Sequence, residues 1–295
     1  MAERVILTDN PAYRQYNIAE PVLESFAISG AATGSVTDEV LLELVAVPPY
    51  YEFGEVTWTS SDELLATVAN GVVSLLAEGD VVITAKIGDL TATHNINITA
   101  KVAAKILDVE YATIQAAIDA AEANDVITIL PGTYNEVLTV NKSNISFTGV
   151  VGEKSVLTNV INIGANLENI SFMNLSFTGD AQIKKLTGTL KGFTFKNNHV
   201  YNTNLAASTY VPTTRTNVNA FIQTYTLSGE NIHGNFYIED NIFENIKSDI
   251  ISIDRSMHEA VLDIKNNVFR NFGVSAIRFD GGWNNGTYNI TGNTF

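Results

Sequence analysis

The chain has 295 residues, 45% of them hydrophobic, with no cysteine and a formal net charge of −15. Without thiols it can form no disulfide, Cys-ligated metal site or thiolate nucleophile, and no apolar run reaches the roughly 18 residues of a membrane span. The charge is uneven, 14 acids against 3 bases in residues 1–100 and 18 against 14 beyond, which argues against nucleic acid as a partner and suits solubility in a crowded assembly.

The first ten residues, Met1 to Asn10, do not read as a secretory signal. Residues 1–23 have no steady hydrophobic period and contain Pro11 and Pro21, so an extended arm is expected. Tyr13 and Tyr16, with Val5-Ile6-Leu7, are its candidate attachment residues; a loose terminus is the alternative.

Residues 24–100 alternate apolar and polar side chains in short runs separated by turn signals, the pattern of a β-sandwich. Asn70-Gly71 lies between the apolar runs Ala66–Ala69 and Val72–Ser74. Both residue types tolerate the positive φ of a type I′ turn, which predicts a tight hairpin. Trp58 is the expected large buried ring at the centre of the sandwich.

The segment resembles the group 2 bacterial immunoglobulin-like domain. The matching features, in order, are Pro48 after the second strand and Trp58-Thr-Ser-Ser-Asp62, then Ala66-Thr-Val-Ala-Asn-Gly-Val-Val73 and Gly79-Asp-Val-Val-Ile-Thr-Ala85. The resemblance implies a spacer or adhesion module without an active site, of a kind common in bacterial surface proteins and phage structural proteins.

A connector, residues 101–110, leads to a second region, 111–295. Ile114, Ala117, Ile118 and Ala121 fall at helical spacing and predict an amphipathic helix of about three turns. Pro131-Gly-Thr-Tyr134-Asn-Glu136 and short apolar runs follow. This combination resembles the opening of pectate-lyase-like right-handed parallel β-helices, in which a helix caps the first coil and a Pro-Gly-x-Tyr-x-Glu corner starts the ladder. Asn124-Asp125 stands where Gly-Asp is usual in that family. The expected fold class is therefore all-β: an Ig-like sandwich, then a right-handed parallel β-helix with an N-terminal capping helix.

The end of the chain repeats. Asn241, Asn267 and Asn293 are 26 residues apart, with Ile238, Ile264 and Ile290 three before and Phe243, Phe269 and Phe295 two after. A fixed period of this size means one unit stacked on copies of itself. Asn198, Asn241, Asn267 and Asn293 are expected to sit left-handed at coil corners and to bond one another as a structural ladder. Asn144, Asn169, Asn174 and Asn289 match the glycosylation sequon, but a ladder explains them better. Asn198 and Asn241 are 43 apart, so one coil carries an insertion, placed at residues 203–217 with Tyr210 and Arg215 as candidate ligand contacts. Because Phe295 occupies the position of Phe243 and Phe269, the chain is expected to continue beyond it in a longer protein.

An enzymatic reading rests on Asp254 and Asp280, 26 residues apart and aligned in the repeat. Glycosidases need two carboxylates about 5–10 Å apart, and adjacent coils about 4.8 Å apart can supply them. Arg255, His258, Arg278 and Trp283 are the candidate ligand-binding neighbours. Strand-ending aspartates that bond loop amides are the competing explanation. The pectate lyase, pectin esterase and polygalacturonase signatures are missing, and His94, His199, His233 and His258 lack metal-ligand spacing. No cofactor or metal is expected.

Together these features point to a non-enzymatic virion protein, a phage fibre or capsid-decoration protein. Its arm and Ig-like domain would attach to other virion proteins, its β-helix would bind host surface glycan, and a trimer is the favoured oligomer. A polysaccharide lyase or hydrolase using Asp254 and Asp280 is the alternative, and a bacterial surface adhesin a third.

Overall fold

The computed structural model describes residues 21–185, 188–207, 219–224, 232–254, 257–258, 261–280 and 286–295, with the backbone alone at 185, 232–233, 254, 257–258 and 280. The described residues are nearly all β, with one short helix, and divide into two compact units after Ala100.

The first unit contains β1 (Ser25–Ser29), β2 (Thr33–Ser35), β3 (Glu39–Leu41), β4 (Glu43–Val47), β5 (Thr57–Ser60), β6 (Ala66–Ala69), β7 (Val72–Leu75), β8 (Gly79–Ile87) and β9 (Leu90–Thr99). They form sheets of order β1-β4, β3-β7-β6 and β2-β9-β8-β5. Leu42 joins β3 to β4 and donates its N–H to the Gly71 carbonyl at 2.8 Å, so residues 39–47 run as one line of chain. Alternation along the strands sends Val40, Leu42, Val73, Leu75, Val81, Ile83, Ile96 and Ile98 into one core. Asn70 and Gly71 have φ of 52° and 81° and join β6 to β7 with Ala69 opposite Val72, the expected hairpin. Trp58 differs from expectation. It is half-buried and packs against the core, because β5 is the outer strand of its sheet and aliphatic side chains fill the centre.

In the second unit the chain visits three sheets in turn and repeats the circuit, consistent with a parallel β-helix. The first sheet starts with the antiparallel strands Ala104–Ile106 and Val109–Tyr111. It continues in parallel through Val126–Ile129, Ile145–Gly149, Leu167–Met173, Leu190–Lys196, Ile232–Glu239, Val261–Lys265 and Thr287–Thr291. The second runs through Gly132–Tyr134, Ser155–Leu157, Ser176–Gly179, His199–Thr203, Ile242–Ile246 and Val268–Phe272. The third runs through Leu138–Val140, Val160–Ile163, Gln182–Lys185, Ala220–Gln223, Asp249–Asp254 and Ile277–Asp280.

Equivalent residues meet in register. Phe195, Ile238, Ile264 and Ile290 form one column, and Val200, Phe243 and Phe269 another. The Phe243 and Phe269 rings stack at 5.1 Å, and Phe269 and Phe295 at 5.2 Å. No circuit buries both sides of its apolar layer alone; each is covered by the circuits beside it.

The helix α1 (Ile114–Ala120) is shorter than the three turns expected. Ala121 leaves helical geometry at ψ 142°, the Asp125 carboxylate accepts from Glu122 N–H, and Asn124 turns left-handed at φ 75°. Ile114, Ala117, Ile118 and Ala121 all join the core of this unit. The Pro-Gly-Thr-Tyr-Asn-Glu segment has a physical role. The Glu136 carboxylate accepts from the N–H groups of Ile114 and Gln115, both at 3.2 Å, satisfying two donors of the first helical turn. Tyr134 donates its hydroxyl proton to the Leu130 carbonyl at 2.9 Å.

The asparagine ladder exists, but not with the expected backbone. The left-handed residues are Asn197, Asp240, Asn266 and Gly292, each immediately before a ladder asparagine. Asn198, Asn241 and Asn267 are buried and use their side chains between circuits. Main-chain N–H groups of Asn198, Asn241 and Asn267 donate to the side-chain oxygens of Asn241, Asn267 and Asn293 at 2.9, 3.0 and 2.9 Å. In the other direction, the Asn241, Asn267 and Asn293 amides donate to the carbonyls of Phe195, Ile238 and Ile264. Turning the chain and sealing the corner are therefore separate tasks of adjacent residues. Among the sequons, Asn144, Asn169 and Asn174 are left-handed, and the Asn169 amide donates to Asn144 at 2.7 Å.

Residues 204–219 separate the second-sheet strand His199–Thr203 from the third-sheet strand Ala220–Gln223, where only Lys247 and Ser248 separate the equivalent strands one circuit later. Most of the extra length of the long circuit therefore lies there; the greater part of that segment, with Tyr210 and Arg215, is outside the described residues, as are Tyr13 and Tyr16.

Asn241→Ala should destabilise the second unit by about 3 kcal/mol, because it strands buried donors and acceptors on two circuits. Asn197→Gly, at an exposed left-handed position, should stay within about 1 kcal/mol of the parent. Denaturant unfolding followed by circular dichroism distinguishes the two; equal losses would show that the corner turn, not the seal, carries the stability.

Candidate functional site

Asp254 and Asp280 end register-paired strands of the third sheet, so their backbones stand opposite one another on adjacent circuits. The spacing is set by Ile251 opposite Ile277 and Ile253 opposite Phe279, apolar residues that hold both strands on the core. Neighbouring parallel strands lie about 4.8 Å apart, close to the separation of a retaining pair of carboxylates. The side chains of Asp254, Asp280 and His258 lie outside the described residues, as do Arg255 and Trp283 altogether.

Arg278 is described, and its guanidinium is engaged. It donates to Asp249 at 3.1 Å, and Ser275 donates its hydroxyl to the other Asp249 oxygen. Asp249 is fully buried and the Arg278 side chain is 15% exposed. A carboxylate in such a place needs a charged partner and further hydrogen bonds. Asp249 is therefore held as an acceptor for Arg278 and Ser275.

Further polar groups share this sheet. Asn162, Lys184, Gln223, Ser252 and Arg278 follow one another in register. Alternation with the core residues Ile251 and Ile253 turns Ser252 away from the interior. The Gln182 amide donates to the Ala220 carbonyl at 2.7 Å and to the Gln223 side chain at 3.1 Å. Gln182, Gln223 and Ser252 are all buried, and the Ser252 hydroxyl has no hydrogen-bond partner among the described residues. Asp249, Gln182 and Gln223 were not legible as a group in the sequence. Their signal is only a polar residue beside an apolar run, and the residues between Gln182 and Gln223 carry the long insertion.

The other two sheets also spend their outer polar groups on one another. On the first, Lys265 donates to Asp263 at 2.6 Å, Asn289 donates to the other Asp263 oxygen at 2.6 Å, and Lys196 pairs with Glu239 at 3.2 Å. The hydrogen bond from Lys265 holds the Asp263 carboxyl below its ordinary range; burial opposes this and the Asn289 amide assists it. The same contact raises Lys265. On the second, His199 Nε2 lies 2.8 Å from Glu244, and its ring packs on Tyr201 with centroids 4.7 Å apart. A carboxylate only accepts, so Nε2 carries the proton in that contact. Among the described residues no group of three or more His, Asp or Glu is placed to hold a metal ion.

Arg278→Ala should cost about 3 kcal/mol, because it removes the guanidinium that pairs with the buried Asp249 carboxylate. Ser252→Ala, which removes an unpartnered hydroxyl, should stay within about 1 kcal/mol of the parent. Chemical denaturation of both variants is the check. Asp263 gives a pH signature. Its folded carboxyl ionises below the unfolded one, so its stabilisation is complete above the ordinary carboxylate range and is lost as pH falls through the folded value. The stability difference between parent and Asp263→Asn should therefore shrink between about pH 6 and about pH 3; a constant difference would remove the ion pair from the account.

No protein-family model and no curated protein matches the chain.

Proposed function

We propose that the chain is a non-enzymatic structural and adhesion protein of a bacteriophage virion, a fibre or capsid-decoration protein. In this reading the N-terminal arm and an Ig-like first unit attach it to other virion proteins. The second unit is a right-handed parallel β-helix whose first circuit is capped by α1 and whose surface takes host carbohydrate, with three copies as the assembled form. The supporting observation is how polar groups of the second unit are used: Asp249 with Arg278, Asp263 with Lys265 and Asn289, and Glu244 with His199. The contacts Asp249–Arg278, Asp263–Asn289 and Glu244–His199 brace neighbouring circuits, as suits a shaft. The resemblance of residues 24–100 to group 2 bacterial Ig-like domains supports a spacer or attachment role, and a bacterial surface adhesin would use the same parts.

The test is the composition of purified virions of the phage that carries the gene. Mass spectrometry should find the protein at fixed stoichiometry, and antibody labelling should place it on the particle; absence from intact virions rejects the proposal.

One observation favours a second reading, the register pairing of Asp254 with Asp280. A polysaccharide depolymerase using both would release reducing ends or unsaturated products from host capsular polysaccharide. That activity would have to vanish in Asp254→Asn and Asp280→Asn; its detection would displace the non-enzymatic proposal.

A further inference from the structure

The two faces of the first unit differ in a way its fold does not require. The outer faces of β5 and β9 carry threonine and asparagine. The outer side of the line formed by β3, Leu42 and β4 instead presents Glu39, Leu41, Glu43, Val45 and Val47. Leu41 is 61% exposed, Val45 52% and Val47 47%. The side chains across from them extend the patch without charge: Val72 stands opposite Leu41 and is 37% exposed, Ala27 stands opposite Val45, and Ser25 opposite Val47. Single exposed aliphatic residues are ordinary, but register-adjacent ones on one sheet face mark an interaction surface.

The charge around the patch selects what covers it. Glu39 and Glu43 lie within the stripe, and residues 21–100 contain a single base, Lys86. Lys86 belongs to β8 and pairs with Thr57, in the other sheet. A second copy docked through the same face in a two-fold contact would bring Glu39 and Glu43 against carboxylates, with no base among the described residues of that face to answer them. Nucleic acid is repelled by the same charges, and a neutral glycan has no use for an aliphatic sheet face.

We propose that this face, centred on Leu41, Val45 and Val47, is the docking surface for a different protein whose contact is an apolar patch ringed by lysine or arginine. Burial of the aliphatic side chains supplies the affinity, and Glu39 and Glu43 supply selectivity and register. The inference rests on the attachment role proposed for the first unit and names the surface that performs it.

The experiment uses the full chain carrying a photo-crosslinking benzoylphenylalanine at Ala27, mixed with the dissociated proteins of the virion. One foreign protein should be cross-linked, through a peptide in which apolar residues adjoin lysine or arginine. The yield should fall about tenfold in the double variant Glu39→Lys, Glu43→Lys and in Val45→Asp, while Thr93→Asp on the opposite sheet leaves it unchanged. Thermal unfolding of each variant confirms that the fold persists. Cross-links to another copy of this chain, a contact peptide without bases, or a yield indifferent to the rim reversal would overturn the assignment. A protein that stays on virions while giving no cross-link from this face leaves the function standing and rejects the surface; absence from virions rejects both.

Discussion

A chain that winds through three sheets must turn a corner at the end of every strand, and at a buried corner the main-chain N–H groups that lose their sheet partners need other acceptors. The second unit depends on how that debt is met. Asn198, Asn241 and Asn267 are buried at one corner; their side-chain amides bond to main-chain carbonyls, and those of Asn241 and Asn267 also bond to the next asparagine along the stack. An apolar side chain there would strand a donor on one circuit and an acceptor on another. A side chain with one oxygen and one NH₂ meets both. The left-handed residue just before each asparagine makes the turn itself, and because it is exposed it varies among Asn, Asp and Gly.

Once the corners are sealed, packing follows from the repeat distance. Parallel strands about 4.8 Å apart bring aromatic rings in one column to stacking range, as with Phe243, Phe269 and Phe295. The first unit reaches stability by another route, alternation along short strands that sends aliphatic residues of different sheets into one core. The two units thus tolerate different surfaces. Several of the second unit's outer polar groups are tied between circuits, whereas the first unit's sheet faces are free to be polar on one side and aliphatic on the other.

Electrostatics sharpen the contrast between structural and chemically available groups. Asp249 is fully buried and accepts from Arg278 and Ser275, and Asp263 is held ionised by Lys265. A general acid needs a carboxyl whose environment favours the proton, the opposite of what Lys265 does to Asp263.

The architecture was legible because repetition and alternation are linear properties. The 26-residue spacing of Asn241, Asn267 and Asn293, the Ile and Phe positions around them, and the Asn70-Gly71 hairpin all follow from main-chain geometry that the sequence carries locally. What the sequence could not show was partnership across circuits. Trp58 reads as a core residue, but its strand lies at a sheet edge. The ladder asparagines read as left-handed, but their neighbours take that conformation and leave them the hydrogen bonds. Asp249 stands out by nothing in the sequence, and it acquires its partner Arg278 only from the next circuit. The sequence by itself determined the repeat, the alternation and the all-β architecture, because those depend on residues near one another in the chain. Only the tertiary structure decided which polar groups are paired and which faces are left open, because the partners come from circuits and sheets brought together by folding.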